Sequence, residues 1–480
     1  MTNPYEKLIT VDRRRQSTIP ARGILDETAS DRSRIIFSSS IRRLQQKAQV
    51  FSLESNASVR TRLTHTLEVS DNGRWIASKV ADSLNERQIL QKNLILPFIN
   101  LVETACFLHD IGNPPFGHFG ESAIQKWFAK NASKVFFKSI NKKGPLSNSF
   151  KLLLRDFEEF DGNPQGFRII TLLQEPPGPF RGTGLNLLKC QLFSFLKYLR
   201  APGEVAGSGI LKKPGYFNTE KHIVDDLKKH FSHQRRFPLT YLMEAADDIS
   251  YCLSDIEDGI EKQIINIPEF FDALQKEYIK IAIDRAVPFG LDTFFVQRDH
   301  QAFFLFKTKL AKALIEQAAM TYLNDHDDIL LGKRDQLFNV GTDAENILTA
   351  LKMVSSKLLF RSREAEDMEI AGFNVISGLL EKFGTLLSLP RNKFELLINA
   401  IEDPKIVKSN KLEIEWRFFN MLPKKYVEAY NFQMKDLKFD VTIDELEWYL
   451  RAHLIVDFIS GMTDGFSLEL YKLFHGIETR

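Results

Sequence analysis

Apolar positions fall into a helical period from Leu63 onward. Ile76, Val80 and Leu84 recur at helical spacing and predict one apolar stripe along a helix. Pro97 suits the first turn of a second helix, whose buried face is marked by Phe98, Leu101, Val102, Ala105 and Leu108. That helix is expected to end soon after Asp110, because Gly112, Pro114 and Pro115 follow. A glycine-punctuated loop over 112–120 then leads into a third helix carrying Ala123, Ile124, Trp127 and Phe128. Over about 130–235, Lys/Asn/Ser-rich pieces alternate with short apolar runs, so the stretch reads as an insertion. Within it, 175–184 is rich in Pro and Gly and reads as loop, and LKKPGYF around Lys212 reads as a turn. Helical pattern resumes after Pro238. Leu242, Met243, Ala246, Ile249, Leu253, Ile256 and Ile260 form a long stripe, with Thr240 as the expected N-cap. Further helices are expected over 347–360 and 445–462. The fold class is therefore read as all-α. A single domain over 1–480 is expected, with a core over about 60–262, a helical insertion and a C-terminal helical region over 263–480.

Composition changes this picture little. The 480 residues are 44% hydrophobic and 26% charged, which permits a sizeable core. Phe is abundant at 39 copies, and few β-branched alternating runs appear, in keeping with packed helices. The net charge of +2 argues neither for nor against a nucleic-acid partner. Basic runs such as Arg13-Arg14-Arg15 and Arg235-Arg236 read as solvated surface before they read as phosphate contacts. Cys106, Cys190 and Cys252 are far apart and form no CxxC pair, so a disulfide framework or thiolate zinc site is not expected and a reducing cytoplasm is. The most apolar stretch, 94–108, is interrupted by Pro97, Asn100 and Glu103, and no membrane association is expected.

The chemistry concentrates in short segments rich in His, Asp and Glu: RTRLTHTLEV (60–69), HDIGNPPFGHFGE (109–121), EEFDGNPQGFRI (158–169) and EAADDISYCLSDIED (244–258). His109 and Asp110 are adjacent, and adjacent residues in mid-helix diverge. At a helix end followed by Gly and Pro, however, both side chains can converge on one ion. Imidazole plus carboxylate suits Mn, Fe, Zn or Mg. His65 lies one turn from Arg62 on the same helix face, and a ligand beside a fixed cation suits a bound phosphate. Asp247, Tyr251 and Asp255 form one stripe of a long helix, flanked by apolar positions that turn it inward. His118 and Glu121 are one turn apart, so the carboxylate can orient the imidazole and raise its pKa, as a general acid requires.

Together these strings resemble the HD superfamily and, within it, the bacterial deoxyguanosinetriphosphate triphosphohydrolases (dGTPases). The resemblance extends to RRLQQKAQVF (42–51), GFNVISGLL (372–380) and GMTDGFSLELY (461–471), and so covers nearly the whole chain, in the longer branch of the family. It implies a multi-helix HD-domain phosphohydrolase fold. It also implies one divalent metal (Mg or Mn, with Fe, Co or Zn as further options) held by His65, His109, Asp110 and Asp247. His118 and Glu121 match the catalytic pair, and Arg62 matches a phosphate contact. Tyr251 and Asp255 match residues around the deoxyribose, and Gln49 and Val50 match a wall near the sugar. Lys213 matches a triphosphate contact, with Lys212 as its competitor, and Phe360 and Glu369 match base-pocket residues. Asn113 departs from relatives that carry a second His there. The implied reaction is hydrolysis of dGTP, or of other dNTPs, to deoxynucleoside and tripolyphosphate by attack at the α-phosphorus, in control of dNTP pools. The implied partners are a homo-oligomer, commonly a hexamer, and a single-stranded DNA or nucleotide effector. The alternatives are an HD-family phosphodiesterase or nucleotidase of other specificity, or a nucleotide- or single-stranded-DNA-binding regulator.

Overall fold

The computed structural model describes residues 3–19, 22–175, 182–282, 287–296, 298–339, 341–400 and 405–477. Most of the loop expected over 175–184 lies outside them. The described chain is all-α: helices follow one another from end to end, no strand forms, and only isolated bridges occur.

The core is built on α1 (Arg62–Glu86) and α2 (Ile95–Leu108), which pack along their lengths. A capping box starts α1: the Thr61 hydroxyl accepts from the Thr64 amide while Thr64 bonds back to Thr61. Ile76, Val80 and Leu84 are fully buried, as the stripe demanded. In α2 almost every residue is buried, so it is a central helix rather than an amphipathic one. It ends at Leu108, one residue before His109, and the HD pair therefore sits on non-repetitive backbone.

The third helix, α3 (Gly117–Ser139), begins earlier than expected. Phe116 (φ 59°) and Gly117 (φ 52°) both take left-handed backbone, which turns the chain sharply and shortens the expected loop. His118 and Glu121 thereby fall in the first turns of α3. The same helix runs through residue 130 without a break.

Across α1 and α2 lies α4 (Thr240–Glu261), whose expected apolar stripe is buried. Thr240 is not its cap. It is the first helical residue, and its hydroxyl donates to the Ser194 carbonyl (3.0 Å), because the chain enters with Leu239 already in helical conformation. α5 (His300–Asn324) packs on α1, and α6 (Asp343–Leu358) on α4. α7 (Arg363–Leu387) packs on α3, and α8 (Ile443–Ser460) is buried from Glu445 to its end. By length and mean hydropathy α7 could cross a membrane, which sequence reading did not anticipate, but half of that stretch is buried inside the protein. The three cysteines are buried and unpaired.

From the inner face of α8, Asp457 receives the Arg168 guanidinium (2.9 Å) and the Gln165 amide (3.0 Å). The start of the next helix, Asp464–Phe474, reaches back to the cleft. Asp464 accepts from the Phe116 amide (3.1 Å) and the Ala48 amide (2.9 Å), tying two cleft-forming segments to the C-terminal region.

Candidate metal centre and nucleotide cleft

One cavity of about 480 Å³ is lined by every candidate residue drawn from the sequence: Gln49, Val50, Arg62, His65, His109, Asp110, His118, Glu121, Lys213, Asp247, Tyr251, Asp255, Phe360 and Glu369. Lys212 is not among its walls. The elements that meet there are the start of α1, the turn after α2, the start of α3, the middle of α4 and the start of α7.

At its floor, ligand atoms of His65, His109 and Asp247 lie within 4.8 Å of one another, close enough to share an ion. His109 Nδ1 donates to the Cys106 carbonyl (2.7 Å), which fixes the tautomer and turns Nε2 inward. That Nε2 and His65 Nδ1 are buried without a hydrogen-bond partner among the described residues. An orphan facing the floor, as His109 Nε2 does, is costly unless a ligand satisfies it. His109 Nε2 is 3.6 Å from both Asp247 Oδ1 and Asp110 Oδ1.

Asp110 stands beside this group rather than in its tightest cluster. Arg62 donates to its Oδ2 (2.6 Å) and Asn113 Nδ2 to its Oδ1 (2.7 Å). Asn113 thus orients the HD carboxylate at the position where relatives were expected to carry a second His. Asp247, and not Asp248, joins the histidines; Asp248 accepts from Lys352 (2.8 Å) instead.

Burial raises the Asp110 carboxyl, but His109, Arg62 and His65 outweigh it and hold the group down at about 2. Asp247 behaves alike: burial raises it, and His109 and Lys197 bring it well below the carboxylate range. Burial lowers the His65 imidazole, yet Asp247, Asp110 and Asp255 push it upward overall. A field that stabilises positive charge on an imidazole also stabilises a cation between the imidazoles. Two imidazoles with ionised carboxylates form a donor set that fits a first-row divalent ion or Mg.

His118 and Glu121 face this floor from the start of α3. His118 Nδ1 is 2.7 Å from Glu121 Oε2, and Glu121 Oε1 accepts from the Gly162 amide (2.8 Å). The hydrogen bond to Glu121 raises the His118 pKa, and the imidazole is exposed toward the cleft. Gly112 is what lets the Asp161–Gly162 turn come this close. A Cβ there would lie 2.1 Å from the Gly162 carbonyl oxygen and the Gly166 amide nitrogen. The same turn places Asp161, whose Oδ2 is 2.9 Å from Lys213 Nζ.

On the α4 side, Asp255 is fully buried and neither of its carboxylate oxygens has a partner among the described residues. Burial pushes its carboxyl up to about 8. The Tyr251 and Phe360 rings are nearly parallel (18°) with centroids 6.4 Å apart. Gln49 Oε1 is likewise buried and unpartnered. Burial, then Glu366, raises the half-buried Glu369.

Several wall residues escaped the sequence reading. Lys197 lies 3.4 Å from Asp247 Oδ2 and 3.8 Å from Glu244 Oε1, with Tyr198 beside it. Its signal was a lone lysine in the apolar run LFSFLKYL, set inside what was read as an insertion. Lys352, from α6, and Met368, from α7, arrive from regions read only as helix.

A sequence profile described as "HD domain" matches residues 62–170 of this chain, the segment carrying His65, His109 and Asp110. The deoxyguanosinetriphosphate triphosphohydrolase of Yersinia pseudotuberculosis is 34% identical over 482 residues, covering 92% of each chain. That of Yersinia enterocolitica is 35% identical over 481 residues, again covering 92% of each. A probable deoxyguanosinetriphosphate triphosphohydrolase of Pseudomonas aeruginosa is 34% identical, covering 94% of this chain and 93% of its own length. The helical fold, the HD profile and the histidine–aspartate floor define an HD-domain hydrolase. Within that class the chain belongs to the deoxyguanosinetriphosphate triphosphohydrolase family, which it matches over nearly its full length.

Proposed function

We propose that this protein hydrolyses dGTP, and to an extent set by its base pocket other dNTPs, to deoxynucleoside and tripolyphosphate. The observation that carries the reading is the placement of the His65–His109–Asp247 cluster across one cavity from the His118–Glu121 pair, with Arg62, Lys197 and Lys213 around it. His65, His109, Asp110 and Asp247 would hold a divalent ion, which supplies a Lewis acid for the α-phosphate and lowers the pKa of a water molecule.

The remaining work falls to the chain's own side chains. Arg62, Lys197 and Lys213 neutralise charge that builds on the triphosphate as the α-phosphorus is attacked. His118, whose hold on a proton Glu121 strengthens, gives that proton to the departing 5′-oxygen. Gly162 and the buried position of Glu121 fix that imidazole's orientation. Asp255, neutral near pH 7 because of burial, can donate to a 3′-hydroxyl as well as accept from it. Tyr251 packs beneath the deoxyribose and crowds a ribo 2′-hydroxyl. Phe360 and Glu369 face the base, and a carboxylate there suits the N–H donors of guanine.

The test is a panel of dNTPs with Mn or Mg, with identification of the products. Tripolyphosphate plus deoxyguanosine, fastest from dGTP, is expected. Pyrophosphate or orthophosphate as first product would make the protein an HD phosphohydrolase of another specificity, and binding without turnover would make it a nucleotide-binding regulator.

A further inference from the structure

The cleft does not end at its phosphate-facing wall. Lys197, Tyr198, Asp248 and Lys352 line both the cavity described above and a second chamber of about 650 Å³. The two chambers differ in chemistry. The first offers Phe116, Phe195, Phe360, Met243 and Met368 to a base and sugar. The second has no aliphatic side chain and no ring but Tyr198. Its walls carry six cationic side chains against three carboxylates, Glu244, Asp248 and Asp335. A nucleobase has little to stack on there, whereas a bare anion has a surplus of positive charge.

Charge pairing is uneven around this second chamber. Near the metal floor the cations are engaged. Lys197 lies between Asp247 and Glu244, Arg236 pairs with Glu244, and Lys352 pairs with Asp248. Arg334 is engaged too, with Asp325 (3.0 Å), and the pairing loosens only at two exposed lysines. Lys212 is exposed and has no carboxylate within ion-pair distance among the described residues, and Lys333 reaches Asp328 only at 3.7 Å and is exposed. The consecutive lysines of the turn therefore part ways: Lys213 faces the first cavity and Lys212 the second.

We infer that the second chamber binds inorganic tripolyphosphate and is the path by which it leaves. The inference rests on the proposed reaction, in which the triphosphate departs intact from a nucleoside still held by the apolar chamber. The volume is that of a small-molecule site. Of its six cations only Lys212 has no carboxylate within ion-pair distance among the described residues and Lys333 is held only at 3.7 Å, so these two exposed lysines are the ones free to turn toward a departing anion.

The experiment compares product inhibition in the full-length, metal-loaded enzyme and in a Lys212→Ala/Lys333→Ala double variant, at fixed free metal concentration. The inhibition constant for inorganic tripolyphosphate is expected to rise about fivefold or more in the variant, as the loss of two exposed charge contacts implies. The constant for deoxyguanosine is expected to stay within about twofold. Both constants rising together, neither rising, or the KM for dGTP rising in step with that for tripolyphosphate would each overturn the inference. A calorimetric titration of tripolyphosphate without nucleotide separates this failure from failure of the proposed reaction. If the parent and the variant give the same binding, the chamber is not a tripolyphosphate site, whatever the products of dGTP hydrolysis prove to be.

Discussion

Two buried polar clusters lie on either side of the Asp161–Gly162 turn, and they are built on opposite terms. Behind the turn, Arg168 is almost wholly buried and every guanidinium nitrogen is used: on Asp457, on Glu220 (2.9 Å), on Gln433 (3.0 Å) and on Thr219 (3.3 Å). Nearby, Asp156 accepts from the Tyr449 hydroxyl (2.5 Å) and from the Asn218 amide (3.0 Å) and side chain (2.7 Å). In front of the turn, His65 Nδ1, His109 Nε2, Arg62 Nε, Gln49 Oε1 and both Asp255 oxygens have no partner among the described residues. Behind the turn the charged groups are satisfied, and among the residues that bond to them Gln165 Oε1 and His453 Nδ1 are what stays open; in front of it charged groups themselves are left open. Partnered charged groups hold a fold together, and unpartnered ones on residues that line a cavity mark where a ligand completes the structure.

This contrast can be broken by substitutions on each side. The largest effect on activity is expected from Asp247→Ala, which removes an anionic donor from the metal floor. Turnover should fall by on the order of 10³-fold or more, while the melting temperature changes little, because the site costs stability rather than supplying it. The opposite pattern is expected behind the turn. Arg168→Ala leaves Asp457 and Glu220 buried without their cation, and urea unfolding should show a loss of about 3–5 kcal/mol. If Asp247→Ala unfolded the protein while Arg168→Ala left its stability intact, the contrast would be reversed.

A smaller effect is expected from Glu121→Gln. Turnover should drop by about 10²-fold, with stability nearly unchanged. Since Glu121 raises the His118 pKa, the variant's imidazole loses its proton at lower pH, and the alkaline limb of the pH–rate profile should move toward acid. An unmoved limb would remove His118 as the acid. The smallest effect is on the pH dependence of stability. Burial raises the Asp156 carboxyl from 3.8 to about 7. Between those values the folded protein holds a proton that the unfolded chain has released. The contribution is therefore complete below the lower value and is lost as pH rises through the upper one. Asp156→Asn should flatten that decline in denaturant midpoints measured across the range.

The open side of the contrast was largely legible in the sequence. His118 with Glu121, and Asp247 with its Tyr251/Asp255 stripe, are local patterns, readable because helical spacing fixes which side chains share a face, and His109-Asp110 is readable from the Gly and Pro that end its helix. Lys197 and Lys352 were not legible. Each comes from a segment whose own pattern says only "helix" or "insertion", and only the packing of those segments brings them to the cleft. The closed side was hardly legible at all. Arg168 lay within a segment already singled out, but its partners Glu220, Gln433 and Asp457 are scattered along the chain, and nothing local announces the pairing. The misplaced loop before α3 and the misassigned Thr240 cap share one cause. Asp464 from the far end of the chain braces Phe116 and Ala48, and Ser194 captures the Thr240 hydroxyl, so tertiary partners decided what local propensity could not.

The central claim is attack of water at the α-phosphorus, with the triphosphate leaving whole. Hydrolysis of dGTP in water enriched in heavy oxygen, followed by mass spectrometry of both products, tests it most directly. The account requires the label on the tripolyphosphate and none on the deoxyguanosine. Label on the nucleoside, or its appearance in pyrophosphate or orthophosphate as the first product, would contradict it.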